Sequence, residues 1–241
     1  MNRLVLASLV SSVLAPALSA QVITLAGWDF EQEPVVSLSQ SGVLAGDFDA
    51  AVGTGEVLGS HAAAATAWSS PAGNGSANFL SANNWTIGDH FQFRVSTAGY
   101  QGVGFSFDHT SSSTGPRDFK LQYSLNGQSF VDAGSYSVLQ NSAVTGGRTA
   151  WSSLGDRQPV YSFALDLSGV TALNDQANVF FRLTSAGTVS ANGGTIAATG
   201  TSRIDNVAIT AVAVPEPREY AVLAGAGLAA FAVWRRRSAA R

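Results

Sequence analysis

Apolar and polar residues alternate along several stretches of the chain from residue 91 onward. The positions between the apolar residues are polar or small, as at Gln92 and Lys120. The apolar members of four such stretches are Phe91, Phe93 and Val95; Val103, Phe105 and Phe107; Phe119, Leu121 and Tyr123; and Tyr161, Phe163, Leu165 and Leu167. A repeat of two residues predicts β-strands with one buried and one solvent-facing side, as in antiparallel sheets.

Further strands are predicted on either side of these stretches. Residues 22–30 form a mostly apolar run, and residues 203–210 form the last one. The pair Asn126-Gly127 lies between two strand-like segments and predicts a β-hairpin. Residues 179–183 carry apolar side chains on both faces, which is typical of a central strand or of a strand covered by a loop.

The fold class follows from these elements. Residues 31–85 are rich in Gly, Ala and Ser and are expected to form loops and a few short strands. We therefore predict an all-β protein, an antiparallel β-sandwich of jelly-roll type, over residues 21–212. The 46% hydrophobic content is enough for a core, and the lack of cysteine excludes disulfides and thiolate metal sites.

Both ends of the chain differ from this body. Residues 1–20 combine Arg3, an apolar run and small residues before Gln21, which predicts a secretory signal peptide and export by the Sec machinery. Residues 213–241 are predicted to form a separate segment. It contains a short transmembrane helix over residues 220–234, followed by a cluster of three arginines.

Charge narrows the possible partners. Between Gln21 and Pro217 there are 15 Asp and Glu residues against 7 Lys and Arg residues. An acidic body of this kind argues against nucleic acid as a partner.

The sequence contains no nucleophile elbow, zinc-protease helix, phosphate-binding loop or dinucleotide fingerprint, so we predict that the protein is not an enzyme. Asp205 shares its strand parity with Val207 and Ile209, so either a bulge resets the register or the carboxylate points inward. An inward carboxylate needs donors or a cation. A structural calcium ion held by Asp205 and Glu31 is one interpretation, and hydrogen bonds to loop amides or to Arg203 are the other. No other cofactor is predicted.

Three tryptophans, Trp68, Trp85 and Trp151, lie in stretches rich in Ser, Gly and Asn. Exposed rings at these positions would form stacking platforms for sugars. The alternative is that the rings close the ends of the sandwich core.

The C-terminal segment resembles the PEP-CTERM sorting signal of exported bacterial proteins. The matching residues are Val214, Pro215, Glu216 and Pro217, the apolar run that follows, and Arg235, Arg236 and Arg237. The resemblance implies an exosortase-type membrane protease as a partner. It also implies transient residence in the inner membrane of a Gram-negative bacterium, and delivery to the outer surface or extracellular matrix.

The body is similar to the jelly-roll modules found in many such proteins, in the manner of carbohydrate-binding modules. The similarity is carried by segments such as residues 84–89, 105–108, 113–119, 122–127 and 203–207. We predict an exported, non-enzymatic surface or biofilm-matrix protein that binds or structures extracellular polysaccharide. The alternatives are an extracellular hydrolase of matrix glycans, which needs two acids facing one cleft, and a structural surface protein with no specific ligand.

Overall fold

A computed structural model describes residues 21–31, 42–45, 48–142, 150–214 and 217–239. The predicted signal peptide and the pair Pro215-Glu216 lie outside the described residues. The described strands are β1 Val22–Trp28, β2 Val43–Ala45, β3 Val52–Gly53, β4 Gly55–Ser60, β5 Trp68–Ser69, β6 Leu80–Ala82, β7 His90–Val95, β8 Tyr100–Ser111, β9 Asp118–Ser124, β10 Val131–Ser137, β11 Ser162–Asp166, β12 Val179–Ser185 and β13 Ser202–Ala213. Short 3-10 helices at Pro159–Tyr161 and Thr171–Leu173 and one α-helix, α1 Pro217–Ala239, complete the described elements.

The strands form two antiparallel sheets. The first sheet has the order β11-β8-β13-β1-β3, and β6 with β5 extends it beside β13. The second sheet has the order β10-β9-β12-β7-β4-β2. The predicted β-sandwich is confirmed, because the inward positions of both sheets form one hydrophobic core.

Aromatic rings fill the space between the sheets. Phe105 of β8 stacks on Phe181 of β12, with ring centroids 5.1 Å apart. Phe93 of β7 lies 5.8 Å from Phe105 and 5.1 Å from Trp28 of β1. These contacts explain the two-residue repeat, because each inward ring meets a ring of the opposite sheet.

Two predictions from local sequence are also confirmed. The hairpin around Asn126 joins β9 to β10, which pair in antiparallel register. Residues 179–183 belong to β12, which lies between β9 and β7 and is therefore a central strand.

Two glycines of β4 make room for two tryptophans. A β-carbon placed on Gly55 would lie 2.7 Å from the ring of Trp28, and one placed on Gly59 would collide with the ring of Trp68. Because the buried indole rings have no room to move, only glycine fits at Gly55 and Gly59.

We expect Gly59→Ala to lower the free energy of unfolding by about 1–3 kcal/mol, because the added methyl overpacks the core against a rigid ring. Gly169→Ala is the control, since a β-carbon at Gly169 meets nothing within 4 Å. Urea denaturation of the two variants measures the difference. Equal stabilities would show that β4 can shift away from Trp68.

The C-terminal segment forms the helix α1, which contains the predicted helix over residues 220–234. All residues from 224 to 239 are exposed, including Arg235, Arg236 and Arg237. No helix in the described part of the chain is both long enough and apolar enough to cross a membrane. The predicted transmembrane helix is thus without support, because its apolar run is short and charged residues flank it.

Candidate functional site

The outer side of the second sheet carries an ordered array of polar and aromatic side chains. The inward positions of β7, β9 and β12 are apolar, so strand alternation turns the residues between them outward. We call this array the polar face; it consists of Gln92 and Arg94 of β7, Lys120 and Gln122 of β9, Asp132 of β10, and Phe180, Arg182 and Thr184 of β12.

Strand register aligns part of the polar face into a row across four strands. Arg182 pairs with Gln92 on one side and with Gln122 on the other, and Gln122 pairs with Asp132. Strands lie about 4.8 Å apart, so the row extends roughly 14 Å across the sheet.

Hydrogen bonds connect these side chains. Arg182 donates from Nε to Oε1 of Gln92 at 2.6 Å. Thr184 donates to Oε1 of Gln122 at 2.8 Å, and Gln122 donates from Nε2 to Asp132 at 2.7 Å. Lys120 donates from Nζ to the other oxygen of Asp132 at 2.6 Å. These hydrogen bonds form two groups, Arg182 with Gln92, and Gln122 with Thr184, Asp132 and Lys120, and each group restricts the rotamers of its members.

The β9–β10 loop places the ring of Phe130 at this face and contacts the ring of Phe180 of β12. Oδ1 of Asn126 accepts hydrogen bonds from the backbone N–H groups of Gln128 and Ser129, both at 2.9 Å. Gly127 has a φ of 71°, and a β-carbon there would lie 3.1 Å from the ring of Phe180. At the end of the loop, the ring of Phe130 lies 3.6 Å from Cζ of Arg182, within cation–π distance.

Charges on the polar face are mostly balanced. Arg94 pairs with Glu56 of β4, and Lys120 pairs with Asp132. The hydrogen bond from Lys120, followed by the one from Gln122, lowers the pKa of Asp132. Burial lowers the pKa of His90, which lies beside this face, to about 4, so its imidazole is neutral at neutral pH.

The three tryptophans predicted as sugar platforms are buried. The exposed fractions of Trp68, Trp85 and Trp151 are 1%, 3% and 6%. Trp68 and Trp85 pack against His61 and Phe91. Trp151 packs against other aromatic residues, Phe79 and Tyr161, in a small separate cluster. This burial favours the alternative, in which the rings belong to the core, although Trp85 also lines a cavity. The stacking role stays a prediction.

At Asp205 the structure shows both a β-bulge and an inward-pointing carboxylate. A bulge between Asp205 and Ala208 shifts the pairing of β13 with β8, and Asn206 has a φ of 48°. Asp205 is nevertheless fully buried. Its oxygens accept hydrogen bonds from the hydroxyl of Ser76 at 2.6 Å and from the backbone N–H groups of Asn74 at 2.9 Å and Asn206 at 2.7 Å.

Protein donors thus satisfy the carboxylate of Asp205, as in the second interpretation, which invoked loop amides. Glu31 accepts a hydrogen bond from the backbone N–H of Asn78 at 2.6 Å, and Arg203 donates to Thr201 rather than to Asp205. Among the described residues, no three His, Asp or Glu side chains lie together in an arrangement suited to a metal ion. Calcium binding by Asp205 and Glu31 stays a prediction.

A second buried carboxylate, which the sequence gave no reason to single out, lies beside Asp205. Asp108 of β8 pairs in register with Asp205 and is fully buried. Arg157 forms a bidentate ion pair with it, donating from Nε and Nη2 at 2.6 Å each. The side chains of Asn74, Asn206 and Ser162 also donate to it, at 2.9, 2.9 and 2.6 Å. The pair is enclosed by loops and does not face a cleft, so it lacks the access that glycoside hydrolysis needs.

A cavity of about 470 Å³ lies elsewhere, between the loops around residues 85–87 and 187–196. Its lining is mainly apolar and contains no charged side chain; it is formed by Trp85, Thr86, Ile87, Gly187, Thr188, Thr195 and Ile196. Ligand sites usually combine an apolar wall with a few converging polar groups. The cavity meets this description through its three threonines but has no charged side chain, whereas the polar face has several.

No protein-family model and no curated protein matches the chain. Several solved structures resemble it weakly. The K3 adhesin domain of Lys-gingipain from Porphyromonas gingivalis is 14% identical with a TM-score of 0.39, over 78% of this chain and 98% of that one. The carbohydrate-binding module TmCBM27, studied for mannan recognition, is 13% identical with a TM-score of 0.38, over 80% and 99%. TmCBM61, solved with β-1,4-galactotriose, is 9% identical with a TM-score of 0.33, over 73% and 89%.

Proposed function

We propose that this is a non-enzymatic exported protein that binds extracellular polysaccharide on the polar face of its second sheet. The observation that carries the proposal is the row formed by Gln92, Arg182, Gln122 and Asp132, which consists of two hydrogen-bonded pairs. Gln92 is buried, at 8% exposed, whereas the other three residues are at least partly exposed.

The chemistry of this row suits sugars. Side-chain amides, guanidinium groups and carboxylates donate to and accept from neighbouring hydroxyl groups, and each retains unused donors or lone pairs after pairing with its neighbour. Phe130 and Phe180 add apolar surface beside the row, against which the C–H face of a pyranose can pack. The row is covered at its β7 end, where Gln92 is buried, and reaches the surface towards β9 and β10, where Gln122 and Asp132 lie.

The enzymatic alternative has no comparable support. The carboxylates at this face, Glu56 and Asp132, are each paired with a cation. Asp108 and Asp205 are enclosed. The alternative of a structural protein without a ligand is an outcome of the binding experiment below.

We expect Gln122→Ala to weaken polysaccharide binding about fivefold or more, because it removes a ligand-facing amide and frees Asp132 and Thr184 from their fixed positions. The measurement is a glycan array followed by calorimetric titration of the best-bound polysaccharide with the full chain. Gln101→Ala is the matched control, since Gln101 is an exposed glutamine on β8 of the other sheet. Failure to bind any polysaccharide, or equal losses in the two variants, would overturn the proposal.

We also propose that the C-terminal segment directs sorting to the cell surface or matrix. In this proposal an exosortase-type protease acts near Val214, Pro215, Glu216 and Pro217 during a transient stay at the inner membrane. Support comes from the order of the segment, since the helix α1 begins at Pro217 and carries Arg235–Arg237 near its end. Mass spectrometry of the surface-bound protein should detect no peptide from residues 220–241; an intact segment there would refute the proposal.

A further inference from the structure

Arg182 differs from the other cations of the polar face in having no acidic partner among the described residues. Arg94 has Glu56 and Lys120 has Asp132. Within the part of the chain that the structure describes, Arg182 forms no salt bridge, and its hydrogen bond is the one from Nε to the neutral amide of Gln92. Its two Nη groups therefore have donors left for a ligand.

The position of Arg182 makes this unbalanced charge significant. It lies on β12, in the middle of the row, between Gln92 and Gln122. The side chain is half-buried, and burial lowers the pKa of its guanidinium. A cation that is partly removed from water gains more from a bound anion than an exposed one does.

Two neighbouring side chains fix the orientation of the Arg182 guanidinium. The Phe130 ring lies against it at 3.6 Å and Gln92 holds Nε at 2.6 Å, so its orientation is set from two sides. The other two cations of the face are satisfied by internal carboxylates. An incoming anion therefore has one preferred place to bind.

We infer that the polysaccharide bound on the polar face is acidic, and that a sugar carboxylate binds the free Nη donors of Arg182. This inference rests on the proposed function of the polar face and names its ligand class. A planar carboxylate matches the fork of a guanidinium. The acidic body repels polyanions elsewhere, so binding depends on this one position rather than on overall charge.

The test compares polygalacturonate with the same polymer after its carboxyl groups have been reduced to alcohols. We expect the full chain to bind the carboxylated form at least about tenfold more tightly, since hydrogen bonds to charged groups contribute more than neutral ones. Arg182→Gln should remove most of this preference. Arg94→Gln is the matched control, because Arg94 lies on the same face but is already paired with Glu56, and it should retain the preference.

The possible outcomes separate this inference from the proposed function. Equal binding of the two polymers, with the Gln122→Ala loss retained, would overturn the acidic ligand and leave polysaccharide binding intact. Equal binding of dextran sulfate and polygalacturonate would also overturn it, since it would indicate general charge attraction rather than a carboxylate site. Absence of binding to every polysaccharide would overturn both.

Discussion

Arg157→Ala should destabilise the protein by about 3 kcal/mol at neutral pH, because it leaves the buried carboxylate of Asp108 without its cation. The side chain of Asp108 is 0% exposed, whereas that of Arg157 is 49% exposed. The desolvation cost is therefore mainly that of the Asp108 carboxylate. Arg157→Ala keeps this cost but loses the positive charge that offsets it. Asp205 adds to it, since it is a second buried acid in register with Asp108.

Two further variants isolate this mechanism. Adding Asp108→Asn to Arg157→Ala should restore part of the lost stability, because it removes the uncompensated charge and can keep an oxygen at the position that accepts from Asn74 and Asn206. Arg117→Ala is the matched control. Arg117 also forms a bidentate ion pair with an aspartate, Asp118, but this pair lies at the surface. Its loss should be much smaller. Urea denaturation measures all three.

The loss should also depend on pH. Burial raises the pKa of Asp205 to about 6, against the hydrogen bonds it accepts. Protonation of Asp205 removes one of the two buried negative charges, so the deficit of Arg157→Ala relative to the native chain should shrink on acidification from about pH 7.5 to about pH 5. A deficit that stays constant, or a double variant no more stable than the single one, would show that Arg157 contributes packing rather than charge.

The second large effect is a loss of stability in mild acid, caused by three buried histidines. Burial lowers the pKa of His61 and His90 to about 4 and that of His109 to about 3. His109 also lies within hydrogen-bond distance of Tyr136 at 2.9 Å and of Ser202 at 2.7 Å. These imidazoles are neutral in the folded protein and bind protons once it unfolds.

Proton linkage gives the sign of the change in the free energy of unfolding with pH. A histidine has a pKa of about 6.5 when unfolded, so from about pH 6.5 down to about pH 4 the unfolded chain holds more protons than the folded one. The free energy of unfolding therefore falls as the pH falls through this window, and the three histidines together contribute a loss of roughly 8 kcal/mol at about pH 4.5. Asp205 opposes this, because its raised pKa makes the folded chain bind its proton first. The three histidines outweigh this single carboxyl group, so the net effect of acidification is a loss of stability.

Urea denaturation between about pH 7.5 and about pH 4.5 measures the effect. His109→Gln should be less stable than the native chain at neutral pH but should lose less stability on acidification. Asp205→Asn should lose more, since it removes the opposing group. If the curves of the native chain and His109→Gln run parallel, buried histidines do not cause the acid sensitivity.

Strand positions could be predicted from the sequence because a two-residue repeat needs no knowledge of the partner strand. The inward rings Phe93, Phe105 and Phe119 were predictable from parity alone. Phe181 was not, because its neighbour Phe180 is equally apolar. The same parity also identifies Gln92 and Gln122 as outward residues. It does not show that they share a row with Arg182, because register between strands distant in sequence depends on the assembled sheet.

The tryptophans illustrate the limit of local composition. Trp68, Trp85 and Trp151 lie in polar stretches, yet they are core residues. Their burial depends on cavities made by other segments, such as the space beside Gly59. Asp108 is similar: its strand parity indicates an exposed position, and only the loop that carries Arg157 encloses it.

Thus the sequence by itself determined the fold class, the inward aromatic residues and the hairpin at Asn126, since these depend on parity and on turn chemistry within a few residues. It also showed that a bulge or a buried acid lies at Asp205. Only the tertiary structure decided which polar residues share a face, which tryptophans are buried, and which arginine has a carboxylate beside it. These properties arise from contacts between segments far apart in the chain, whose geometry local pattern does not encode.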